Sequence, residues 1–143
     1  MTMKQLSVFV ENKPGTLAEI TGILGENGID MCALSVADTE RYGILRLIVN
    51  NPQKAEDALK AAGFKVSLTD VIAIAVSHKP GGLSKALKHV AKAGIAVEYM
   101  YAFVSPKADT AYVILRVQDN QKAILALQQG GIPVIQGEEI YGK

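Results

Sequence analysis

A short turn motif occurs twice in this sequence, and its residue types suit the binding of a small charged molecule. The first copy is Asn12-Lys13-Pro14-Gly15-Thr16-Leu17, and the second is His78-Lys79-Pro80-Gly81-Gly82-Leu83. A glycine lets a ligand approach the backbone, and the unpaired N–H groups of a helix that starts there attract a carboxylate. The same residues also fit a simple strand-to-helix connection with Asn12 as a local cap, so both interpretations stay open.

The other reactive residue types form no catalytic pattern. His89 has no Asp or Ser placed to complete a triad, and Cys32 has no Cys-x-x-Cys partner for a soft metal. No acid–base pair, phosphate loop or metal cluster is visible. We therefore expect a protein that is not an enzyme and has no cofactor or metal.

The turn motif belongs to a longer internal repeat. Gly28-Ile29 matches Gly94-Ile95, and Ile44-Leu45-Arg46-Leu47 matches Ile114-Leu115-Arg116-Val117, in the same order. The second copy carries a short insertion near 105–109. Matches in one order along two whole copies predict two domains, residues 1–69 and 70–143.

Each copy predicts the element order strand, helix, strand, strand, helix, strand. In the first copy Leu6, Val8 and Val10 alternate with other residues, as in a half-buried strand. This order is the split βαβ or ferredoxin-like arrangement, an α+β fold with an antiparallel sheet and helices on one face. We also expect the second strands, 30–38 and 96–105, to lie side by side at their edges.

Composition excludes several classes of partner. The net charge is +1, and Lys and Arg form no basic stripe, so we expect no nucleic-acid binding. The longest apolar run, Val71 to Val76, is too short to span a bilayer, and the N-terminus enters a strand pattern with no signal-peptide run. The single cysteine allows no intrachain disulfide, which indicates either a reducing cytoplasmic location or indifference to redox conditions, and we expect the cytoplasm. Strands that are apolar on both faces predict a homodimer.

At this point the sequence resembles a known family. Glu11-Asn12-Lys13-Pro14-Gly15-Thr16-Leu17 followed by Gly28-Ile29-Asp30 is similar to the signature of the ACT domain, and the second copy is similar to it too. The resemblance covers nearly the whole chain. It implies regulatory units that bind amino acids or related small molecules where two ACT domains meet. With no enzyme region in the sequence, the chain resembles the stand-alone tandem ACT proteins.

The resemblance also implies which residues contact the ligand. They are the polar residue before the turn, the turn itself and the start of the second strand: Asn12, Lys13, Pro14, Gly15, Thr16, Leu17, Asp30 and Met31 in the first copy, and His78, Gly81, Gly82 and Leu83 in the second. Ala96 replaces Asp30 in the second copy. Either Glu98, on the same strand face, supplies the carboxylate, or this second site is inactive. We therefore expect the first site to be the better one.

Two functions remain open from the sequence. The first is a non-catalytic sensor that binds a free amino acid between ACT domains. The second is a regulatory small subunit of a separate biosynthetic enzyme, because the segment from Ser7 to Gly15 also resembles the small subunit of acetolactate synthase. Those subunits usually carry one ACT domain and a different C-terminal part, so the second ACT copy argues against that identity.

Overall fold

A computed structural model of the chain describes residues 1–38 and 40–140, apart from the side chains of Asp38 and Val104. The end of the predicted second domain, residues 141–143, lies outside the described residues. The elements in chain order are β1 (Met3–Glu11), α1 (Thr16–Glu26), β2 (Met31–Asp38), β3 (Tyr42–Val49), α2 (Pro52–Ala61), β4 (Lys65–Ser77), α3 (Gly82–Lys92), β5 (Val97–Val104), β6 (Thr110–Val117), α4 (Asn120–Gln129), β7 (Val134–Ile135) and α5 (Gly137–Ile140).

The chain divides into two compact units. One comprises Lys4–Thr69, and the other comprises Asp70–Lys143 together with Met1–Met3. Strand β4 contains residues of both units, since it starts at Lys65 and ends at Ser77. Each unit has the element order that the repeat predicts, and the ferredoxin-like α+β fold is confirmed.

The first unit has strands in the order β2-β3-β1-β4. Strand β1 is antiparallel to β3, with Leu6 opposite Leu47 and Glu11 opposite Tyr42. Alternate residues of these strands point to one side and are buried against the two helices of the unit, because the side-chain period of a strand is two. The core they form contains Leu6, Val8, Val10, Leu45, Leu47 and Val49 with Ile20, Leu24, Ala55 and Leu59.

The second unit repeats this order as β7-β4-β6-β5. Its fourth strand is very short: β7 contributes only two residues, which pair with Ala73 and Ile74 of β4. The second core joins Ile72, Ile74 and Val76 to residues of β6, α3 and α4. The insertion at 105–109 forms the connection between β5 and β6.

The expected pairing of the two second strands is wrong. Strand β2 pairs with β3, and β5 pairs with β6, so each is an edge strand of its own unit among the described residues. Each second strand thus satisfies one side of its backbone with the third strand of its own unit, and its other side has no strand partner within the described part of the chain. An open strand edge of this kind is a common site of association.

The helix boundaries follow from local sequence. Helix α2 begins at Pro52, where the missing N–H costs nothing, and the side chain of Asn51 accepts a hydrogen bond from the Lys54 amide. Helix α1 ends before Gly28, which has φ of +67° as a C-terminal glycine often does. Within the described residues, no helix is long and apolar enough to cross a membrane.

The burial of β3 gives a first testable prediction. Leu47 is fully buried in the first core, whereas Leu125 on α4 is 55% exposed. We expect Leu47→Ala to lower the free energy of unfolding by about 2–5 kcal/mol, because it removes packing and leaves a cavity. The control Leu125→Ala should change it by only about 0.5 kcal/mol. Urea unfolding followed by circular dichroism measures both, and equal losses would contradict the assigned core.

Candidate functional site

The first turn leaves its backbone open. Gly15 stands immediately before α1 with φ of +91°, and a Cβ added there would meet no atom within 4 Å. The residue before α1 is this glycine, so the N-cap position provides no side-chain cap. Asn12 therefore does not act as the helix cap; its backbone N–H donates to the carbonyl of Arg41 at 2.7 Å, and its side-chain amide donates to the carbonyl of Glu40 at 3.4 Å. Asn12 holds the turn against the start of β3.

The side chains of this turn differ sharply in exposure. Lys13 and Pro14 are exposed, and Leu17 is 43% exposed although it lies on a helix. Thr16 is only 7% exposed, and its buried hydroxyl has no hydrogen-bond partner among the described residues. Lys13 pairs with Glu11 at 3.4 Å between Nζ and Oε2. The turn thus combines an open backbone, an exposed ion pair and a buried unpartnered hydroxyl.

Asp30 and Met31 lie at the other end of the sheet of the first unit. Met31 pairs with Val49, the last residue of β3, whereas Glu11 beside the turn pairs with Tyr42, the first. At about 3.3 Å per residue, the two ends of β3 are roughly 20 Å apart. One amino-acid ligand therefore cannot touch the Gly15 turn and Asp30 of the same unit.

The carboxylate of Asp30 is not needed to hold β2 in place. The backbone N–H of Asp30 donates to the side-chain oxygen of Asn50 at 3.1 Å, and its carbonyl accepts from the Asn50 N–H at 3.1 Å. The residue is exposed.

The second turn has the same backbone conformation as the first, but packing restricts which residue can follow its glycine. Gly81 has φ of +89°, as Gly15 does, and the His78 N–H donates to the carbonyl of Asp109 at 2.8 Å. Gly82 occupies the place of Thr16, and a Cβ added there would lie 2.0 Å from the backbone oxygen of Ser77. Packing against Ser77 thus requires glycine at this position, and the second turn has no equivalent of the Thr16 hydroxyl.

The remaining predicted residues of the second unit do not gather at its turn. Leu83 is half-buried and packs against the second core. Glu98 follows Val97, which pairs with Val117, at the end of the sheet away from the turn. Its carboxylate lies 3.9 Å from Nε of Arg116. Glu98 therefore serves an ion pair in this unit, and within this unit it does not supply a carboxylate to the turn.

A cleft of about 420 Å³ borders the first turn. Lys13 and Thr16 line it together with residues that the sequence reasoning did not select: Phe9, Glu11, Glu19, Tyr42, Gly63, Phe64 and Lys65. The sequence could have indicated Phe9, because the alternation of β1 places it on the strand face opposite Val8 and Val10. No sequence pattern indicates the residues of the α2–β4 connection, because only the fold brings them to the turn.

A second cleft of about 390 Å³ borders the turn of the second unit. The insertion contributes Ser105, Lys107 and Asp109 to its lining, opposite His78 and Phe103. Phe103 also contacts Tyr112 edge to face at 5.4 Å between ring centroids, as expected for a packing residue. In the described part of the chain, no group of three or more His, Cys, Asp or Glu could hold a metal ion.

Two ferredoxin-like units, each with a glycine turn between its first strand and first helix, define the class of fold. The chain belongs to the ACT domain pair family, whose model matches residues 1–139. It is similar to the crystal structure of protein BT0572 from Bacteroides thetaiotaomicron, with 38% identity and a TM-score of 0.93 over 100% of this chain and 98% of that one. This confirms the family that the sequence resembles.

Two further solved structures share the fold. The ligand-free regulatory subunit of aspartate kinase from Thermus thermophilus is 19% identical, with a TM-score of 0.68 over 89% of this chain and 91% of that one. The corresponding subunit from Thermus flavus is 18% identical, with a TM-score of 0.64 over 90% and 92%. No curated protein matches the sequence. At these identities the two regulatory subunits show a shared fold.

The different roles of the glycines give a second prediction. We expect Gly82→Ala to lower the free energy of unfolding by about 1–3 kcal/mol or more, because the added Cβ clashes with the Ser77 carbonyl. The matched control is Gly22→Ala inside α1, where a Cβ meets nothing within 4 Å. That change should raise the free energy of unfolding by about 0.5–1 kcal/mol, because alanine loses less backbone entropy. Thermal and urea unfolding measure both; a stabilised Gly82→Ala variant would contradict the packing.

Proposed function

We propose that this chain is a non-catalytic regulator that binds a free amino acid. The observation that carries the proposal is the first turn, where Gly15 leaves the backbone open at the start of α1. The partial positive charge of a helix N-terminus suits the carboxylate of an amino acid. Membership of the ACT domain pair family supports a regulatory role.

The ammonium group of the ligand would pair with Asp30. This carboxylate is exposed and lies at the far end of its own unit from Gly15. A ligand that contacts both residues must therefore lie where two ACT units meet, with the turn from one unit and Asp30 from another. The ammonium of the ligand would then face the Asp30 carboxylate of one unit. Its carboxylate would face the backbone N–H groups at the turn of the other unit.

A homodimer of the chain fits the exposed apolar surface of the first unit. The edge strand β2 exposes Met31, Leu34 and Val36, with exposed fractions of 36%, 54% and 43%. An open edge with apolar side chains is favourable for pairing with another chain. We propose that two copies associate through this edge.

A second candidate is a regulatory subunit that docks on a separate biosynthetic enzyme. The fold shared with the regulatory subunit of aspartate kinase from Thermus thermophilus favours it. Acetolactate synthase is the other enzyme that the opening segment suggests. Co-purification from the native cell tests both: a stoichiometric enzyme supports the second candidate, and its absence favours a free-standing sensor. A cytoplasmic location fits a sequence whose single cysteine, Cys32, allows no intrachain disulfide.

The third prediction concerns the amino-acid site. Calorimetric titration with the twenty standard amino acids should identify at least one ligand. We expect Asp30→Ala to weaken its binding by more than tenfold, because loss of a charge partner in a desolvated site costs about 2–5 kcal/mol. Gly15→Val should weaken it as well, because a side chain would cover the backbone. Glu26→Ala, which removes another exposed carboxylate near the end of α1, is the matched control.

Two outcomes of the titration distinguish the proposed function from the proposed role of Asp30. If no amino acid binds, the proposed function is wrong. If one binds and Asp30→Ala leaves its affinity unchanged, the function stands and Asp30 does not belong to the site.

The fourth prediction concerns association. Analytical ultracentrifugation should give about twice the 15.2 kDa mass of one chain at micromolar concentration. We expect Leu34→Asp to shift the protein toward the monomer, because a charge on the exposed edge cannot be buried in an interface without a partner. Leu125→Asp is the control, since Leu125 is 55% exposed on α4 and is not part of β2. A monomeric parent protein would contradict the dimer.

A further inference from the structure

Helices α1 and α3 occupy equivalent places in the two units but carry charges of opposite sign. The repeat aligns Glu19 of α1 with Lys85 of α3. It likewise aligns Glu26 with Lys92, and all four residues are exposed. The two glutamates are the only charged residues of α1, whereas α3 contains three lysines and no acidic residue. One helix is therefore acidic and its counterpart is basic.

The aligned charges have the same spacing on both helices. On each helix they are seven positions apart. That is close to two helical turns, roughly 10 Å along the axis, so both charges lie on one side of the helix. Lys88 lies between the two aligned lysines of α3 and is exposed. The helical period thus gathers lysines that are spread out along the sequence. An acidic pair and a basic row of equal spacing can face each other when two such helices lie side by side.

These charges have no partner of opposite sign in the part of the chain that the structure describes. Neither glutamate of α1 and none of the three lysines of α3 forms an ion pair there. Helix α2 shows the ordinary arrangement, since Lys60 and Glu56 pair at 3.4 Å one turn apart. In α3, by contrast, Lys88 and Lys92 have the same sign at this spacing, which destabilises a helix. An acidic surface placed against α3 would offset this repulsion.

Two glycines leave the outer side of α1 without side chains. Gly22 and Gly25 are exposed, and a Cβ added to either would meet no atom within 4 Å. Packing within the unit therefore does not require glycine at these places, although glycine inside a helix is less favourable than alanine. Close approach by another helix accounts for both positions, because a missing side chain lets a neighbouring chain come near. Lysines on that helix could then reach the glutamates.

We propose that α1 of one copy of the chain docks against α3 of a second copy. In this contact Glu19 and Glu26 of one copy pair with the lysines of α3 in the other. The occupant is a second copy because the two helices of this sequence match each other in sign and in spacing. Every copy carries both helices and so offers both halves of the contact. The contact uses neither Asp30 nor the exposed residues of β2, and it does not rest on the proposed amino-acid site.

A contact made by exposed charges depends on salt. Each exposed ion pair contributes little by itself, and salt screens it. We therefore expect this association at low ionic strength and above the micromolar concentrations at which the β2 edge should give a dimer. At an ionic strength of about 1 M, where the Debye length is roughly 3 Å, it should be lost.

The fifth prediction exchanges charges between two variants of the full chain. The first variant carries Glu19→Lys and Glu26→Lys, so both of its helices are basic. The second carries Lys85→Glu and Lys92→Glu, so each of its helices presents two glutamates. In sedimentation velocity at an ionic strength of about 10 mM, the parent should form assemblies larger than the dimer. Each variant alone should associate about tenfold more weakly, because like charges then face each other.

An equimolar mixture of the two variants should regain the association of the parent, since every basic helix again meets an acidic one. A single chain that carries all four reversals should regain it as well. The matched control is Lys54→Glu with Lys122→Glu, which changes the net charge as the second variant does but on α2 and α4. It should associate as the parent does. Circular dichroism verifies that each variant is folded.

The Leu34→Asp variant separates this contact from the β2 edge. It should prevent the edge dimer and leave the association between α1 and α3 unchanged. The inference is overturned if the mass of the parent does not rise with concentration at low ionic strength, whatever the amino-acid titration gives. It is also overturned if either charge variant associates as the parent does, or if mixing the two variants restores nothing.

Discussion

A chain that passes from a strand into a helix within a few residues has to reverse direction, and both units of this protein meet that constraint with a glycine in the left-handed region. Gly15 and Gly81 have φ of +91° and +89°. An L side chain is strained in this conformation, whereas glycine adopts it freely. The turn sets where each first helix begins and which strand face it covers. It also leaves open backbone at the start of α1, so one local requirement serves both the fold and the candidate site.

The two turns share this constraint but not its consequences. In the first unit, the position after the glycine has room for a side chain, and Thr16 lines a cleft there. In the second unit, the equivalent position lies so close to the Ser77 carbonyl that only Gly82 fits. The insertion before β6 then gives this unit a different cleft beside His78. The duplication has therefore kept the architecture while the two sites have diverged in chemistry.

Strand direction decides which residues can act together. Because β2 and β3 are antiparallel, the start of β2 lies beside the end of β3, far from the turn at the end of β1. The turn and the acidic residue that the family resemblance implies as ligand contacts are thus divided between the two ends of one sheet. Within one unit, by contrast, the end of β1, the starts of α1, β3 and β4, and the α2–β4 connection line one cleft beside the Phe9–Tyr42 stack. Ligand recognition in this fold depends on which end of the sheet a group occupies.

The sequence by itself determined the repeat, the order of elements, the alternating core residues such as Leu6 and Val8, and the glycine turns. These features are local or periodic, so the spacing of the hydrophobic residues and the residue types in the turns indicate them directly. Only the tertiary structure decided that the second strands stay at separate edges, that Gly82 is required by packing, and that Lys65 joins Thr16 in one cleft. Such contacts join residues far apart in the chain, and they depend on strand order and register, which a local pattern does not encode.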